Sequence, residues 1–193
     1  GDGMQLAGNL FSTISATVGN DISTFPDYPA EIRAPQGTVG GVSGFQVHIG
    51  DEKITTPGDY ADVLIAMNPA ALKANLRWAK KGGTIIVDTD AFIDKNLEKA
   101  GYEADPLADN SLVDYNLIPV KITSLTEEAL KDSGLDQKSI VRCKNMFALG
   151  MVYWMFDTPT THTEQFFDYK FAKKPQIAAA NKTPPIIPQA IIS

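Results

Sequence analysis

One cysteine, Cys143, and two histidines, His48 and His162, are all the thiol and imidazole side chains this 193-residue chain has. A single thiol excludes a disulfide framework, and it leaves no set of thiolates with which this chain alone could hold zinc or an iron-sulfur cluster. So few cysteines suit a reducing cytoplasm, which is the expected location. Neither histidine has the sequence neighbours that a catalytic triad or a metal site demands: His48 falls on the polar phase of a strand pattern, His162 beside a helix start. Clusters of positive charge are equally scarce. The net charge is −6, from 17 basic and 23 acidic residues, and no run of cations exceeds the pairs Lys80-Lys81 and Lys173-Lys174. A nucleic-acid binder needs a basic stripe to meet the phosphates, so no nucleic-acid partner is expected. The longest apolar run, Met146 to Phe156, is far shorter than the ~20 residues of a membrane span. No charged-then-apolar leader opens the chain, and no membrane association is expected. No internal repeat is visible.

What the chain does have is enough apolar residue, 44% against 21% charged, to bury the core of one domain, or of one domain with an extension. It opens on Gly1-Asp2-Gly3 with no strand before it, which leads to the expectation of a fragment, or of a first strand that precedes Gly1. Leu6, Leu10, Ile14 and Val18, at steps of four with Phe11 beside them, predict an amphipathic helix over Gln5 to Gly19. A short strand at Ile22 to Thr24 leads into the stretch the rest is organised around, Thr24 to Ile49. It carries two Pro-turns (Phe25-Pro26 and Tyr28-Pro29), a third proline at Pro35, glycines at 37, 40, 41 and 44, and then a strand alternation at Phe45, Val47 and Ile49. Loops beyond roughly 12 to 15 residues are usually functional or disordered. The aromatic and β-branched anchors here favour an ordered loop that covers something.

Asp62 to Met67 reads as a buried parallel strand. After it, Asn68 is a good helix N-cap, Pro69 suits the first helical position, Leu72, Leu76 and Ala79 make an inner face, and Gly82-Gly83 is read as the stop. With the strand Thr84 to Val87 this is a strand-helix-strand unit of a parallel sheet. A helix over Ala91 to Ala100 ends at Gly101, and Leu117 to Thr123 is an edge strand marked by Pro119. Ser124 and Glu127 suggest a capping box for a helix ending by Gly134, and Thr161 with Glu164 suggest another for a helix carrying Phe166, Phe167 and Phe171. Between them, Asn145 to Phe156 is apolar all round, as a fully buried helix is. The expected fold is α/β: an open, mostly parallel, Rossmann-like sheet with flanking helices and a C-terminal helical extension. Residues 1–174 form the α/β domain, its first strand missing, and residues 175–193 a C-terminal helix and Pro-rich linker or arm.

Candidate chemistry is sparse. Gly1, Gly3 and Gly8 at a helix start could hold a phosphate or carboxylate, or could be a tight turn without a ligand. They are not a Walker loop, since Asn9-Leu10 stand where Lys-Ser/Thr is needed, and Leu6 occupies the third glycine position of a dinucleotide fingerprint. A thiamine diphosphate motif would need an Asn between Asn20 and Asn68, where there is none. Glu31 and Arg33 are the best candidates for a polar site: Arg clamps carboxylates and phosphates at two points, and the alternative is an internal salt bridge. Asp88 and Asp90 lie where open α/β sheets place ligands, or cap the helix opening at Ala91. Cys143, between Arg142 and Lys144, is either activated by their charge or a semi-buried inert thiol.

Several of these stretches together resemble one family. They are Gly-Asp-Gly-Met-Gln-Leu-x-Gly at residues 1–8, Phe-Pro-Asp-Tyr-Pro-Ala-Glu-Ile-Arg-Ala-Pro at 25–35 and Gly-Val-Ser-Gly-Phe-Gln-Val-His at 41–48. Asp62 to Lys73, Gly82 to Asp88 and Lys144 to Gly150 complete the set. The chain resembles the gamma domain of 2-oxoacid:ferredoxin oxidoreductases, in the form fused to the alpha subunit of 2-oxoglutarate:ferredoxin oxidoreductase. Met4 and Leu6 stand where many gamma domains have glycine, which fits the fused form. The resemblance implies a whole enzyme using thiamine diphosphate with magnesium and 4Fe-4S clusters, converting a 2-oxoacid, coenzyme A and oxidised ferredoxin to an acyl-coenzyme A, carbon dioxide and reduced ferredoxin, or the reverse. Its partners would be the alpha and beta domains or subunits, ferredoxin and coenzyme A. This chain alone would bind none of the cofactors and catalyse nothing; it would act as scaffold and help enclose coenzyme A. Gly1, Gly3, Gln5, Glu31 and Arg33 are then the candidates for coenzyme A or anion binding, and Phe25, Pro26, Tyr28, Pro29, Ser43 and Gly44 form a loop facing the partner domains. A free-standing nucleotide-binding module and a purely structural interface domain are the alternatives.

Overall fold

The computed structural model describes residues 2–17, 21–27, 42, 44–50 and 60–183. In chain order the elements are α1 (Asp2–Thr17), β1 (Asp21–Asp27), β2 (Gly44–Gly50), β3 (Ala61–Ala66), α2 (Pro69–Asn75), β4 (Ala79–Asp88), α3 (Asp94–Lys99), β5 (Asn116–Val120), α4 (Ile122–Leu130), α5 (Gln137–Arg142), α6 (Lys144–Met155), α7 (Thr161–Lys170) and α8 (Pro175–Lys182). Short 3₁₀ turns occupy Leu76–Trp78 and Thr89–Ala91. The elements belong to two compact units: β3 to β5 with α2 and α3 in one, and α1, the β1–β2 pair and α4 to α8 in the other.

In the first unit, β3, β4 and β5 are parallel and lie in that order, with Val63 beside Thr84 and Thr84 beside Asn116. Parallel neighbours require a crossover, and α2 and α3 supply it in two successive strand-helix-strand units. This is the open, parallel, Rossmann-like α/β sheet with flanking helices that the sequence predicts. Ile85, Ile86 and Val87 are all 0% exposed. Successive residues of a strand face opposite ways, so β4 is buried on both sides, as the middle of a parallel sheet should be. Ile85 and Val87 pack with Leu72, Phe92, Leu97 and Leu112. Pro119 sits opposite Val87 in β5, which is an edge strand of this sheet.

The start of α2 is set as expected: Asn68 Oδ1 accepts the Ala71 N–H at 2.8 Å, and Pro69 takes the first turn. Its end is not. The helix stops at Asn75, the 3₁₀ turn follows, and β4 begins at Ala79, so Gly82-Gly83 lies within a strand rather than at a helix end. Gly83 is there because two carbonyls crowd it. A Cβ would stand 2.8 Å from the Lys80 oxygen and 2.9 Å from that of Asp62, where the β3–β4 register shifts between Ala61 and Val63. Gly83→Ala is expected to cost about 1–3 kcal/mol, read as a lowered denaturant midpoint. An unchanged midpoint would mean that this bulge shifts freely.

α3 is shorter than predicted, because a 3₁₀ turn takes up Thr89–Ala91; Gly101 closes it at φ 73°. Lys73 of α2 donates to the Gly101 carbonyl and lies 4.8 Å from the centre of the Tyr102 ring, tying the two helices together.

In the second unit, Ala7, Leu10, Phe11 and Ile14 of α1 pack on Met146, Leu149 and Tyr153 of α6 and Phe167 of α7. The buried face is turned slightly from the predicted one, and Leu6 sits at its margin. α6 is buried nearly all round, as its composition demands, with Trp154 and the following Phe156 opening to solvent at its end. The buried hydroxyls of Tyr153 and Thr163 meet at 2.7 Å and join α6 to α7.

Two caps differ from the sequence reading. α4 begins at Ile122, which puts Ser124 inside the helix, and Glu127 accepts instead from Gln137 at 2.7 Å. The α7 cap position is Thr160, whose hydroxyl donates to Glu164 Oε1 at 2.7 Å, one residue ahead of Thr161. α5, unforeseen, is capped by Asp136, which accepts the Ser139 N–H at 2.9 Å. No helix among the described residues is long and apolar enough to cross a membrane.

Candidate functional site

The candidate loop leaves β1 and returns into β2, two hydrogen-bonded neighbours. β1 runs through Phe25 and Pro26, so the first of the two predicted Pro-turns is strand instead; an edge position tolerates a proline that lacks an N–H. Gly44 opens β2. Gly1, Tyr28, Pro29, Glu31, Arg33 and Ser43 lie outside the described residues.

The opening glycines do not make a loop before a helix. Gly3 is within α1, and Gly8 is near its middle. Gln5, in the first turns, is buried. Gly8 instead faces β2: a Cβ there would stand 2.2 Å from two atoms of the Phe45 ring. The close approach of Gly8 to a residue far along the chain escaped the sequence reading, and the only signal for it was a glycine in the middle of a helical pattern.

At the carboxyl end of the parallel sheet the polar groups include Asn68, Asp88 and Asp90, with Thr89 and Lys121 beside them. Asn68 is committed to capping α2. Asp88 is 0% exposed and makes no side-chain cap to the turn that follows, so the cap reading fails for it. Its carboxylate closes the buried strand β4, while Asp90 sits half-buried in the 3₁₀ turn.

Activation of Cys143 is likewise overturned. The thiol is buried, burial pushes its pKa up to about 11, and Sγ points to the Ser139 carbonyl at 3.5 Å. A thiol held protonated is a poor nucleophile and a poor ligand. Among the described residues no three His, Cys, Asp or Glu side chains are grouped so as to hold a metal ion. The described part includes a helix with a seat for β2 and a sheet whose carboxyl end is polar, with Asn68 engaged in capping α2.

A family model described as pyruvate ferredoxin/flavodoxin oxidoreductase matches residues 1–183. The chain belongs to that family. Within the pyruvate ferredoxin/flavodoxin oxidoreductase family it is 51% identical, over 181 residues, to the 2-oxoglutarate oxidoreductase subunit KorA of Mycobacterium tuberculosis. That alignment takes in 94% of this chain and 28% of the relative, so the chain spans just over a quarter of the relative's length. Three solved structures share the fold. A 2-oxoglutarate:ferredoxin oxidoreductase from Magnetococcus marinus, with 2-oxoglutarate, coenzyme A and succinyl-CoA bound, superposes with a TM-score of 0.66 at 24% identity, over 96% of this chain and 28% of that one. The gamma subunit of a keto/oxoacid ferredoxin oxidoreductase from Geobacter sulfurreducens gives 0.59 at 20% identity, over 96% of this chain and 90% of the subunit. A pyruvate oxidoreductase subunit from Thermotoga maritima gives 0.55 at 18% identity, over 96% and 88%. Within the described residues, the family motifs at 1–8, 25–35 and 41–48 thus take in the start of α1, the end of β1 and the start of β2.

Proposed function

We propose that this chain is the gamma-type domain of a 2-oxoglutarate:ferredoxin oxidoreductase, and that it scaffolds the enzyme and helps enclose coenzyme A. The observation that carries this reading is the 51% identity to a 2-oxoglutarate oxidoreductase subunit across 94% of the chain. The whole enzyme would convert 2-oxoglutarate, coenzyme A and oxidised ferredoxin to succinyl-coenzyme A, carbon dioxide and reduced ferredoxin, or run in reverse. Thiamine diphosphate and iron-sulfur clusters would supply the decarboxylation and the electron transfer. This chain's donors do not fit those groups: its one thiol is buried and held protonated, and the Asn of a thiamine-magnesium motif is missing. They belong with the alpha and beta partners, and the described part of this chain takes no step in the chemistry.

Its part is to hold the anionic end of coenzyme A. Arg33, with its fixed fork of donors, suits a phosphate, and Glu31 two residues before it suits the orientation of that guanidinium. A hydrogen bond to a charged group is worth about 1.5–3 kcal/mol. Arg33→Ala in the assembled enzyme is therefore expected to raise KM for coenzyme A about 10- to 100-fold, with Arg33→Lys intermediate. Steady-state kinetics with coenzyme A varied and 2-oxoglutarate saturating decide it. A KM within twofold of the native value would leave the domain as a structural interface, or, if the isolated chain binds a dinucleotide, as a nucleotide-binding module.

A further inference from the structure

Glycine is the poorest helix former apart from proline, and Gly8 stands in the interior of the 16-residue helix α1, so its place there calls for a reason. The Phe45 ring gives one. An ideal Cβ on Gly8 would lie 2.2 Å from Phe45 Cγ and Cδ1 and 2.8 Å from Cδ2, which means the ring is seated directly on the bare backbone of the helix. The Gly8 carbonyl is held as well, accepting the Ser12 hydroxyl at 2.9 Å. Residues two apart on a strand face the same way, and Val47 packs against the cluster of Ala7, Leu10, Phe11 and Ile14 on the same helix. β2 therefore rests on α1 at two points. Val47 is the inner one, half-buried against the core cluster. Phe45 is the outer one, with only Gly44 between it and the start of the strand.

We infer that Gly8 and Phe45 are a positioning pair: the seat on α1 sets where the chain enters β2 and, through it, the affinity for coenzyme A. The inference rests on the coenzyme A reading above. Neither residue touches the ligand in this scheme. Gly8 acts by admitting the ring, Phe45 by filling the seat, and a displaced ring moves the strand entry by the several tenths of an ångström to an ångström that binding geometry does not tolerate.

A double-mutant cycle in the assembled enzyme tests the pair. Gly8→Ala is expected to raise KM for coenzyme A about tenfold, with a much smaller change in kcat. Phe45→Ala removes Cγ, Cδ1 and Cδ2, the ring atoms that face Gly8, and so empties the seat without a clash; it should raise KM by about threefold. If the two residues work as one contact, Gly8→Ala with Phe45→Ala is no worse than Phe45→Ala alone, because truncation at Cβ makes room for the methyl group; independent residues would give the product of the two effects. Multiplicative effects overturn the pairing. A native KM in Gly8→Ala, alongside a raised KM in Arg33→Ala, overturns the positioning role and leaves the coenzyme A reading standing. A coupled effect of Gly8 and Phe45 with Arg33→Ala silent supports the pair and removes Arg33 from the reading. Native KM values in every variant overturn both.

Discussion

Leu72→Ala is expected to destabilise the protein by about 3–5 kcal/mol, the largest single effect foreseen. Leu72 is 0% exposed and packs in one cluster with Ala66, Ala79, Ile85, Val87, Phe92, Leu97 and Leu112, where α2 crosses the sheet. Truncation removes the transfer energy of three carbons and leaves a cavity. Its walls come from β3, β4 and α3 and can only partly collapse, because β4 is pinned by strands on both sides. A domain holds in total about 5–15 kcal/mol, so the variant should unfold at a much lower urea concentration with an unchanged slope. Leu72→Met, which nearly conserves volume, should cost less than about 1.5 kcal/mol. A small loss in Leu72→Ala would mean that the sheet shifts to fill the space.

Stability is expected to fall as the pH rises from about 9 towards 11. Burial pushes the Cys143 thiol up from 9.0 to about 11, and burial, with the charge of Asp109 adding to it, pushes the Tyr102 hydroxyl up from 10.0 to about 12. Each group holds its proton more tightly in the folded chain, so between the two values the folded state carries more protons than the unfolded one. The stabilisation is whole below the unfolded pKa and is lost as the pH climbs through the folded pKa. For Cys143, a shift of this size is on the order of 2 kcal/mol; Tyr102 is only half-buried and adds less. Denaturant midpoints at pH 8 and pH 11 should differ more in the native protein than in Cys143→Ala. Parallel losses in the two would assign the alkaline sensitivity to other groups.

The parts of the fold that local chemistry decides were legible. Asn68-Pro69 announces α2, the run from Asp62 announces a parallel strand, and Pro119 marks an edge, because caps, apolar runs and missing donors act within a few residues; β3 itself lies at the end of the sheet, and Val63, Leu64 and Ile65 are half-buried rather than buried. What failed depends on groups far away in the chain. Gly83 read as a helix stop, yet its neighbour is the carbonyl of Asp62, across the sheet. Gly8 read as part of a ligand turn, yet its neighbour is Phe45. Ser124 looked like a cap, but Ile122, Thr126 and Leu130, spaced by four and all buried, pull the helix start three residues earlier. Of the candidate site, Glu31 and Arg33 rest on chemistry and resemblance alone, and both lie outside the described residues. Asp88 shows the converse limit: a buried carboxylate and an exposed cap look alike when both follow a strand.

The proline of β5 has a bearing on how this protein behaves when crowded. An edge strand offers its free backbone groups to any extended chain that comes near, and that is how many sheets grow into aggregates. In β5, five residues long, Pro119 removes one N–H from the row. A short strand with a gap in its donors makes a poor template. Among the described residues, the β5 end of this sheet is thus a weak point of attachment for a further strand.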